Sequence, residues 1–518
     1  MEKEPLALTL DFGTQSLRCC LVNKKGEIVD IVKRPYEPPY VSVEKGYAEQ
    51  DADFYWNHCI DSLKELTSKN KDKLDGIIGA TITCFRDSAV LLDSRNKPLR
   101  KCILWLDQRT AEAKEKLPLL HRILFKVVGM KDTIVFNRRR TMAHWIKENE
   151  PQIWSKTRKY VNISTYLNYK LTGNLVDCPS GVTGHYPINF KQKRWYPEGA
   201  LKGRIFGIRQ SMLPKLVNSG DVIGEISPDV AKEVGLPLGI KVYATGSDKG
   251  CETVGLGALN RDTAAVSYGT ACTVEVSNVQ YHEPEPFLPA YAAVVPGYYN
   301  MEVQVYRGYW MLGWFSKNFA ETEMNEARIE HMMTEEVLDK KLSEVPPGSD
   351  GLVLQPYWGP GLRRPLAKGS IVGFSDIHTK YHFYRAIIEG IAYALREGLE
   401  GIEKAQRHKV KEIRISGGGS QSDATCQITA DIFGLPVYRV QTYETTSLGA
   451  AEAIFVAAKE FASVEEAQEK MSHVVDTFLP NEVARQQYEF LYKKVYLNMY
   501  PRMKDIYKEV THYNKKFK

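Results

Sequence analysis

Two short stretches of the chain share a pattern in which an apolar run ends in a Gly-Thr pair and a second apolar run follows. The first stretch is centred on Gly13-Thr14 and the second on Gly269-Thr270. Each predicts a β-hairpin whose glycine turn leaves backbone N–H groups pointing outward, as phosphate binding requires. One such turn alone is explained equally well by a plain tight hairpin. The repeat after about 256 residues favours two related domains, each placing a phosphate-binding turn on a shared cleft.

Strand-like and helix-like patterns alternate along the chain, which is typical of α/β layers. Residues 383–402 have apolar side chains at helical spacing, and the Ala- and Gly-rich residues 448–458 predict a helix that packs closely against a neighbour. No low-complexity linker separates the halves, so we expect them to share an interface. We predict an N-terminal domain at 1–257, a C-terminal domain at 258–475 and a helical extension at 476–518.

The composition excludes several classes of protein. The 518 residues are 43% hydrophobic and 25% charged, with a formal net charge of +6. We therefore expect no strong electrostatic attraction to nucleic acid or to membranes. No apolar run approaches the roughly 20 residues of a membrane span, and the first residues do not resemble a signal peptide. The nine cysteines are scattered without a CxxC pair, which predicts mostly buried, reduced thiols. The sequence therefore predicts a cytoplasmic protein that binds neither nucleic acid nor membrane.

Asp248 follows a strand-like run, 241–245, close to the predicted domain boundary. In α/β folds a carboxylate at the carboxyl end of a strand faces the ligand-binding crevice, and beside a hydroxyl group it would act as a general base. The same residue also suits an N-cap for the helix-like segment that follows. Both interpretations stay open on this motif alone.

Two further segments have features of a nucleotide site. Asp11 ends the first strand-like run, where a carboxylate would hold Mg²⁺ through water. A glycine-rich turn at 416–420 joins a strand-like run to a helix-like run, and its glycines permit close approach by a purine or ribose. The chain has no Walker A motif, so a nucleotide site of another type is expected.

Polar and aromatic residues between the early strands are candidates for binding an acceptor. Arg86-Asp87 lies between two strand-like runs, where a solvated ion pair is the default and a polyol-binding pair is the alternative. Trp105 and Asp107 combine an aromatic face with a hydrogen-bonding group within residues 103–109.

Taken together, these motifs resemble the FGGY family of carbohydrate kinases over roughly residues 6–475. The matching segments are Asp11, Gly13, Thr14, Ser16 and Arg18 of the opening motif, Gly46 to Asp51, Leu171-Thr172-Gly173 with Asp177 and Ser180, Gly369 to Glu389, Gln427 to Val437, and Leu448 to Ala451. The resemblance implies an α/β fold of two actin-like (ribonuclease H-like) domains flanking a central cleft. ATP and a sugar meet in that cleft, and a homodimer is one assembly that relatives adopt.

The resemblance also implies roles for individual residues. Asp248 would be the catalytic base, and Asp11 and Asp248 would be associated with Mg²⁺. The residues expected to bind ATP are Gly13, Thr14, Gln15, Ser16, Arg18, Gly269, Thr270, Gly418, Gly419 and Ser422. The residues expected to bind the acceptor are Arg86, Asp87, Trp105, Asp107 and Asp248.

These motifs define the identity of the phosphoryl acceptor less closely. Arg86-Asp87 stands where glycerol kinases of the family have Arg-Glu and xylulose kinases have Met-His, and relatives acting on erythritol or autoinducer-2 also carry Arg-Glu. Asp87 is one methylene shorter than Glu, which favours an acceptor larger than glycerol. We expect ATP-dependent phosphorylation of a ketose, such as xylulose or ribulose, or of a polyol. The alternative is a non-catalytic, sugar-responsive, actin-like protein that binds ATP.

Overall fold

The computed structural model describes residues 4–285, 288–359, 364 and 366–517. Within them, helices and strands alternate around two central sheets, which confirms the predicted α/β class. Long apolar runs form the strands nearest the centre of each sheet, as expected for strands buried on both faces.

The first half of the chain extends to the end of the helix that begins at Asp248. Its strands are β1 (Leu6–Phe12), β2 (Ser16–Asn23), β3 (Ile28–Pro35), β4 (Glu49–Gln50), β5 (Ile77–Cys84), β6 (Ala89–Leu92), β7 (Cys102–Ile103), β8 (Lys159–Asn162), β9 (Val176–Asp177), β10 (Ile188–Asn189), β11 (Arg194–Trp195), β12 (Lys215–Leu216), β13 (Val222–Glu225) and β14 (Lys241–Tyr243). Its α-helices are α1 (Ala52–Lys69), α2 (Leu119–Val127), α3 (Lys131–Arg140), α4 (Met142–Asn149), α5 (Pro151–Lys156), α6 (Ile163–Thr172), α7 (Leu201–Phe206), α8 (Pro228–Val234) and α9 (Asp248–Gly255).

The second half begins with the strand that leads into the second Gly-Thr turn. Its strands are β15 (Thr263–Tyr268), β16 (Cys272–Asn278), β17 (Tyr291–Ala292), β18 (Tyr299–Val305), β19 (Val353–Gln355), β20 (Ser370–Val372), β21 (Glu412–Ser416), β22 (Val437–Val440) and β23 (Val474–Phe478). Its α-helices are α10 (Trp310–Phe319), α11 (Glu321–Glu330), α12 (Thr334–Leu342), α13 (Lys380–Gln406), α14 (Asp423–Phe433), α15 (Thr445–Ala457), α16 (Val464–Met471), α17 (Glu482–Leu491) and α18 (Leu497–Phe517).

The two central sheets have the same topology. The first has the order β13-β14-β5-β1-β2-β3, and the second has the order β23-β22-β21-β15-β16-β18, extended by β17. Read in these orders, both sheets pair antiparallel, parallel, parallel, antiparallel and antiparallel. The repeated Gly-Thr pattern is therefore the trace of a structural duplication.

The two predicted hairpins have the same geometry. A loop of Gly13, Thr14 and Gln15 joins β1 to β2, and Gly269, Thr270 and Ala271 join β15 to β16. Because β1 and β15 hold equivalent places in their sheets, the two loops occupy corresponding positions in the two halves.

The helices that cover the first sheet come from both ends of the chain. Apolar residues of α1, α6 and α8 pack against one face. The other face is covered by α15, whose Leu448, Ala451, Ile454 and Phe455 pack with residues of β1 and β2. The helix predicted at 448–458 thus packs closely, as expected, but against the sheet of the other half.

Helix α15 also crosses α9 at a point where two glycines meet the opposite backbone. A Cβ on Gly449 would lie 2.0 Å from the Cys251 carbonyl oxygen, and one on Gly255 would lie 2.1 Å from the Thr445 carbonyl oxygen. Only glycine leaves room for this approach, so the crossing determines where α9 and its first residue, Asp248, can sit.

The helices at 482–517 pack onto the second half. Tyr488, Tyr492, Tyr496 and Tyr507 are all buried, and Tyr488 donates a hydrogen bond to the buried Glu389 carboxylate at 2.8 Å. The predicted boundaries at 257/258 and 475/476 stay predictions.

All nine cysteines are buried and unpaired, as the sequence suggested. Among the described residues, no helix combines the length and apolarity needed to cross a bilayer.

The glycine crossing makes a testable prediction about stability. Gly449→Ala places a methyl group against the α9 backbone, and we expect a loss of about 1–3 kcal/mol or more, the usual effect of overpacking. The matched control is Gly401→Ala within α13, where a Cβ would have its nearest contact at 3.8 Å. Urea unfolding of both variants tests this, and equal stabilities would contradict the close crossing.

Glu452 of α15 predicts a pH dependence of stability. Its side chain is fully buried, one oxygen has no hydrogen-bond partner, and burial raises its pKa from 4.5 to about 8. The folded chain therefore holds an extra proton between these pH values, and the stability from the neutral carboxyl is lost as pH rises through this window.

We expect Glu452→Gln to match the wild type near pH 5 and to exceed its stability by about 4 kcal/mol at pH 9. The exposed Glu469→Gln on α16 is the matched control. Urea unfolding across this pH range is the measurement, and a pH-independent difference would refute the assignment.

Candidate active site

The two halves enclose a cleft of about 2070 Å³. Both Gly-Thr turns open onto it, as the repeat predicted. The predicted site residues that line it are Asp11, Gly13, Thr14, Gln15, Ser16, Arg18, Arg86, Asp87, Trp105, Asp248, Gly269, Thr270 and Gly418. Residues distant in sequence therefore converge on one cavity.

Asp248 is the first residue of α9 and lines the cleft. The N-cap of this helix is Ser247, whose hydroxyl accepts a hydrogen bond from the Gly250 N–H at 3.3 Å. Ser247 thus fills the capping role that the sequence left open for Asp248. Burial raises the pKa of Asp248, and the positive charges of Arg86 and Lys249 partly oppose this rise.

Lys249 is a cleft residue to which sequence reasoning assigned no role. Its ammonium group donates to Glu252 and to the Ser267 hydroxyl, both at 2.6 Å. Burial acts to lower the pKa of Lys249, but the carboxylates of Glu252 and Asp248 outweigh burial and raise it. A fixed positive charge therefore lies beside Asp248 at the second Gly-Thr turn.

Asp11 lies opposite Arg18 across the first hairpin. One carboxylate oxygen is 3.6 Å from an Arg18 guanidinium nitrogen, and the other is buried without a hydrogen-bond partner. Burial raises the pKa of Asp11 to about 7, with Arg18 opposing the rise and Asp248 adding to it. The free oxygen is a position that a cation would satisfy.

The first Gly-Thr turn is supported by a tryptophan from another loop. The indole N–H of Trp105 donates to the Thr14 hydroxyl at 3.0 Å. Because the hydroxyl accepts this bond, its own proton stays free for a ligand in the cleft. Trp105 therefore orients the turn as well as lining the cleft.

The glycine-rich turn after β21 lies against the second Gly-Thr hairpin. Gly417 has φ of +82°, and a Cβ there would lie 2.7 Å from the Tyr268 carbonyl carbon. Gly418 faces the cleft, whereas Gly419 is buried against the Tyr309 ring.

Ser422 caps α14 by accepting a hydrogen bond from the Thr425 N–H at 3.2 Å. Neither Gly419, which is buried, nor Ser422, which is half-buried, is among the residues that line the cleft.

Arg86 and Asp87 do not pair with each other in a solvated ion pair. Asp87 has φ of +55°, and this turn lets both side chains reach the cleft. The Asp87 carboxylate accepts from the His185 backbone N–H at 2.9 Å and lies 2.7 Å from its ring Nδ1. Both terminal nitrogens of Arg86 donate to Glu302, at 2.7 and 2.8 Å.

Asp107 is fully buried behind the cleft wall. It accepts from the Arg109 side chain at 2.8 Å and from the Ala48 N–H at 2.7 Å. Arg109 stacks over the Tyr47 ring, with its guanidinium carbon 3.7 Å from the centroid. Asp107 thus belongs to a buried hydrogen-bonded cluster that stabilises the loop carrying Trp105.

Glu302 and His185 are further cleft residues that no sequence motif indicated. They come from β18 and from the loop before β10, far along the chain from Arg86 and Asp87. Lys249 and Glu252 could have been found, because i, i+3 spacing places them on one face of a helix starting at Asp248.

The described residues contain no group of three or more His, Cys, Asp or Glu side chains arranged to hold a metal ion. A magnesium ion at Asp11 would therefore need water or substrate oxygens as further ligands, which suits the hydration that Mg²⁺ retains.

Comparisons with known proteins agree with this geometry. The family model for the N-terminal domain of FGGY carbohydrate kinases matches residues 6–255, and that for the C-terminal domain matches 264–458. A xylulose kinase of Lactococcus lactis subsp. lactis (strain IL1403) is 28% identical over 516 residues, covering 98% of this chain and 99% of the relative. A gluconokinase of Bacillus licheniformis is 26% identical over 523 residues, covering 98% of each.

The fold is shared with solved structures. The crystal structure of ligand-bound xylulose kinase from Lactobacillus acidophilus has a TM-score of 0.81 at 23% identity, covering 98% of this chain and all of the other. The predicted pair of actin-like domains is therefore confirmed. With both family domains matched in order along the chain, this protein belongs to the FGGY family of carbohydrate kinases.

Proposed function

We propose that the chain transfers the γ-phosphoryl group of ATP to a hydroxyl of a ketose or polyol, with Asp248 as the general base. The observation that carries this proposal is the place of Asp248, half-buried in the cleft wall and within electrostatic reach of both Arg86 and Asp11. Arg86 and Asp87 mark the acceptor end of the cleft, and the two Gly-Thr turns mark the phosphate end.

In the proposed reaction the acceptor hydroxyl oxygen bonds to the γ-phosphorus while its proton passes to the Asp248 carboxylate. The bond from the γ-phosphorus to the bridging oxygen breaks, and ADP keeps that electron pair. Burial raises the pKa of Asp248, and a higher pKa makes a carboxylate a better proton acceptor. The enclosed cleft limits access of water, which would otherwise compete as the acceptor.

The chain offers donors for the phosphates on both halves. The Thr14 hydroxyl and the Arg18 guanidinium lie on the first hairpin, and Thr270 lies on the second. The Lys249 ammonium group lies between the base and the second turn. Gly418 leaves the wall open beyond that turn, and we place the adenosine there.

The residues at the first turn fit a magnesium ion. Asp11 offers a buried carboxylate oxygen without a partner, and Asp248 is close enough to raise its pKa. When bound, Mg²⁺ would neutralise phosphate charge and polarise the transferred group. Asp11 would hold it, directly or through water.

Relatives named xylulose kinase and gluconokinase both act on compounds with several hydroxyl groups. We propose an acceptor of that kind, bound by Arg86, Asp87 and Trp105. The need for ATP and the nine unpaired thiols suit the reducing cytoplasm, which we propose as its location.

Replacing the proposed base tests the mechanism. Asp248→Asn should lower kcat by about 10²–10⁴-fold, the usual contribution of general base catalysis, while acceptor binding measured by calorimetry stays close to wild type. The matched control is Asp229→Asn, because Asp229 is also an acidic residue in the first turn of a helix with a serine N-cap, and it is exposed. Near-normal turnover of Asp248→Asn would refute the assignment.

An acceptor panel tests the function itself. We expect coupled ADP release with at least one of xylulose, ribulose, xylitol, arabitol, erythritol, glycerol, gluconate and autoinducer-2, at a rate well above that with ATP alone. ATP binding without acceptor-dependent ADP release from any of them would favour the alternative, a non-catalytic ATP-binding protein.

A further inference from the structure

An ion pair joins the two halves at the acceptor end of the cleft. Arg86 follows β5 of the first half, and Glu302 lies in β18 of the second. The two side chains meet in parallel hydrogen bonds of 2.7 and 2.8 Å, the bidentate geometry that is strongest for arginine and carboxylate. Only 14% of the Arg86 side chain and 5% of the Glu302 side chain are exposed, so solvent screens the pair weakly.

The charges at this pair cancel. Burial acts to raise the pKa of Glu302, but Arg86 outweighs burial and lowers it, so Glu302 is ionised. Its cross-strand neighbour, Glu275 on β16, has a pKa raised well above the usual range by burial and by Glu302. This raised pKa favours the neutral form of Glu275, which accepts hydrogen bonds from the Thr253 hydroxyl at 2.9 Å and the Asn300 amide at 3.2 Å and does not line the cleft. One negative charge thus faces one positive charge.

This cancellation matters because two carboxylates also line the acceptor end. Asp248 and Asp87 both line it. A sugar acid brought here would place its carboxylate near theirs, and Arg86 would offer no net positive charge in return. A hydroxyl group needs no counter-charge, and Arg86 keeps N–H donors beyond the two that Glu302 uses.

We propose that Glu302 is a specificity-determining residue of the acceptor site. By holding Arg86 in place and cancelling its charge, it makes the site select uncharged polyhydroxy acceptors over sugar acids. Because Glu302 belongs to the second half, this part of the site is complete only when the halves meet. The inference rests on the proposed function.

The decisive variant is Glu302→Gln, which removes the negative charge and keeps the shape. We expect KM for an uncharged acceptor such as xylulose or xylitol to rise about tenfold or more, the scale of a lost charge-assisted hydrogen bond. The ratio of kcat/KM for gluconate to kcat/KM for the uncharged acceptor should rise by at least a similar factor. KM for ATP should change little, whereas the melting temperature should fall, because the Arg86 charge then lacks its buried partner.

Two further variants separate charge from position. Glu302→Asp keeps the charge but shortens the side chain, so we expect a higher KM for the uncharged acceptor with discrimination against gluconate retained. Glu275→Gln is the matched control. The amide keeps the shape of the neutral carboxyl, and residue 275 does not line the cleft, so the acceptor preference should stay as in the wild type.

Calorimetric binding of xylitol and gluconate, measured beside turnover, distinguishes failure of this inference from failure of the proposed function. If the wild type binds xylitol more tightly than gluconate and Glu302→Gln loses this preference, the inference is supported. If, in addition, neither protein phosphorylates any acceptor, only the proposed function is refuted. An unchanged preference in Glu302→Gln would overturn the inference. Wild-type preference for gluconate would also overturn it and would direct attention to Arg140 and Arg307, which line the cleft as well.

Discussion

The Glu252 carboxylate, buried at the junction of the two halves, is the interaction on which the arrangement of the cleft depends. It lies on α9 and accepts hydrogen bonds from Lys249 at 2.6 Å, Ser267 at 2.9 Å and Ser416 at 2.7 Å. Ser416 is the last residue of β21 and Ser267 is the last but one of β15, and these are the central strands of the second sheet. A helix of the first half is thereby attached to the phosphate end of the second. The glycine crossing with α15 holds the same helix from its other side, so Asp248 is positioned by contacts from both halves.

The cleft concentrates ionisable groups that are largely withdrawn from water. Burial raises the pKa of Asp11 and of Asp248, and the Asp248 carboxylate adds to the rise at Asp11. Keeping such groups together is unfavourable for the empty protein, and a strongly perturbed pKa in a cleft is typical of a functional site. The positive charges of Lys249 and Arg86 compensate part of the negative charge at Asp248. Positive and negative charges are nearly equal in the whole chain, and within the cleft they are likewise balanced by individual pairs.

Much of the site could be predicted because it consists of turns. Gly13-Thr14 and Gly269-Thr270 need glycine and threonine at fixed offsets from a strand, and such local requirements are visible in sequence. Asp107 shows the limit of such reasoning, since its carboxylate accepts hydrogen bonds from Arg109 behind the cleft wall. Gly419 and Ser422 also lie outside the cleft lining, because a glycine or serine near a site serves packing and capping as readily as binding. The binding roles expected for these three residues stay predictions. The pairing of Arg86 with Glu302 lay beyond local reasoning altogether.

By itself, the sequence determined the duplication, the strands and helices that carry it, and the turns that face a ligand. These features depend on the spacing of apolar residues and on backbone freedom within a few residues, so short segments of sequence are enough to predict them. Only the tertiary structure decided that α15 covers the first sheet, that Ser247 rather than Asp248 caps α9, and that Glu302 meets Arg86. Such contacts join residues up to several hundred positions apart, and a buried charge is stable only with whichever partner the fold brings within reach. A short sequence pattern does not indicate which distant residue will be the partner of a buried charge.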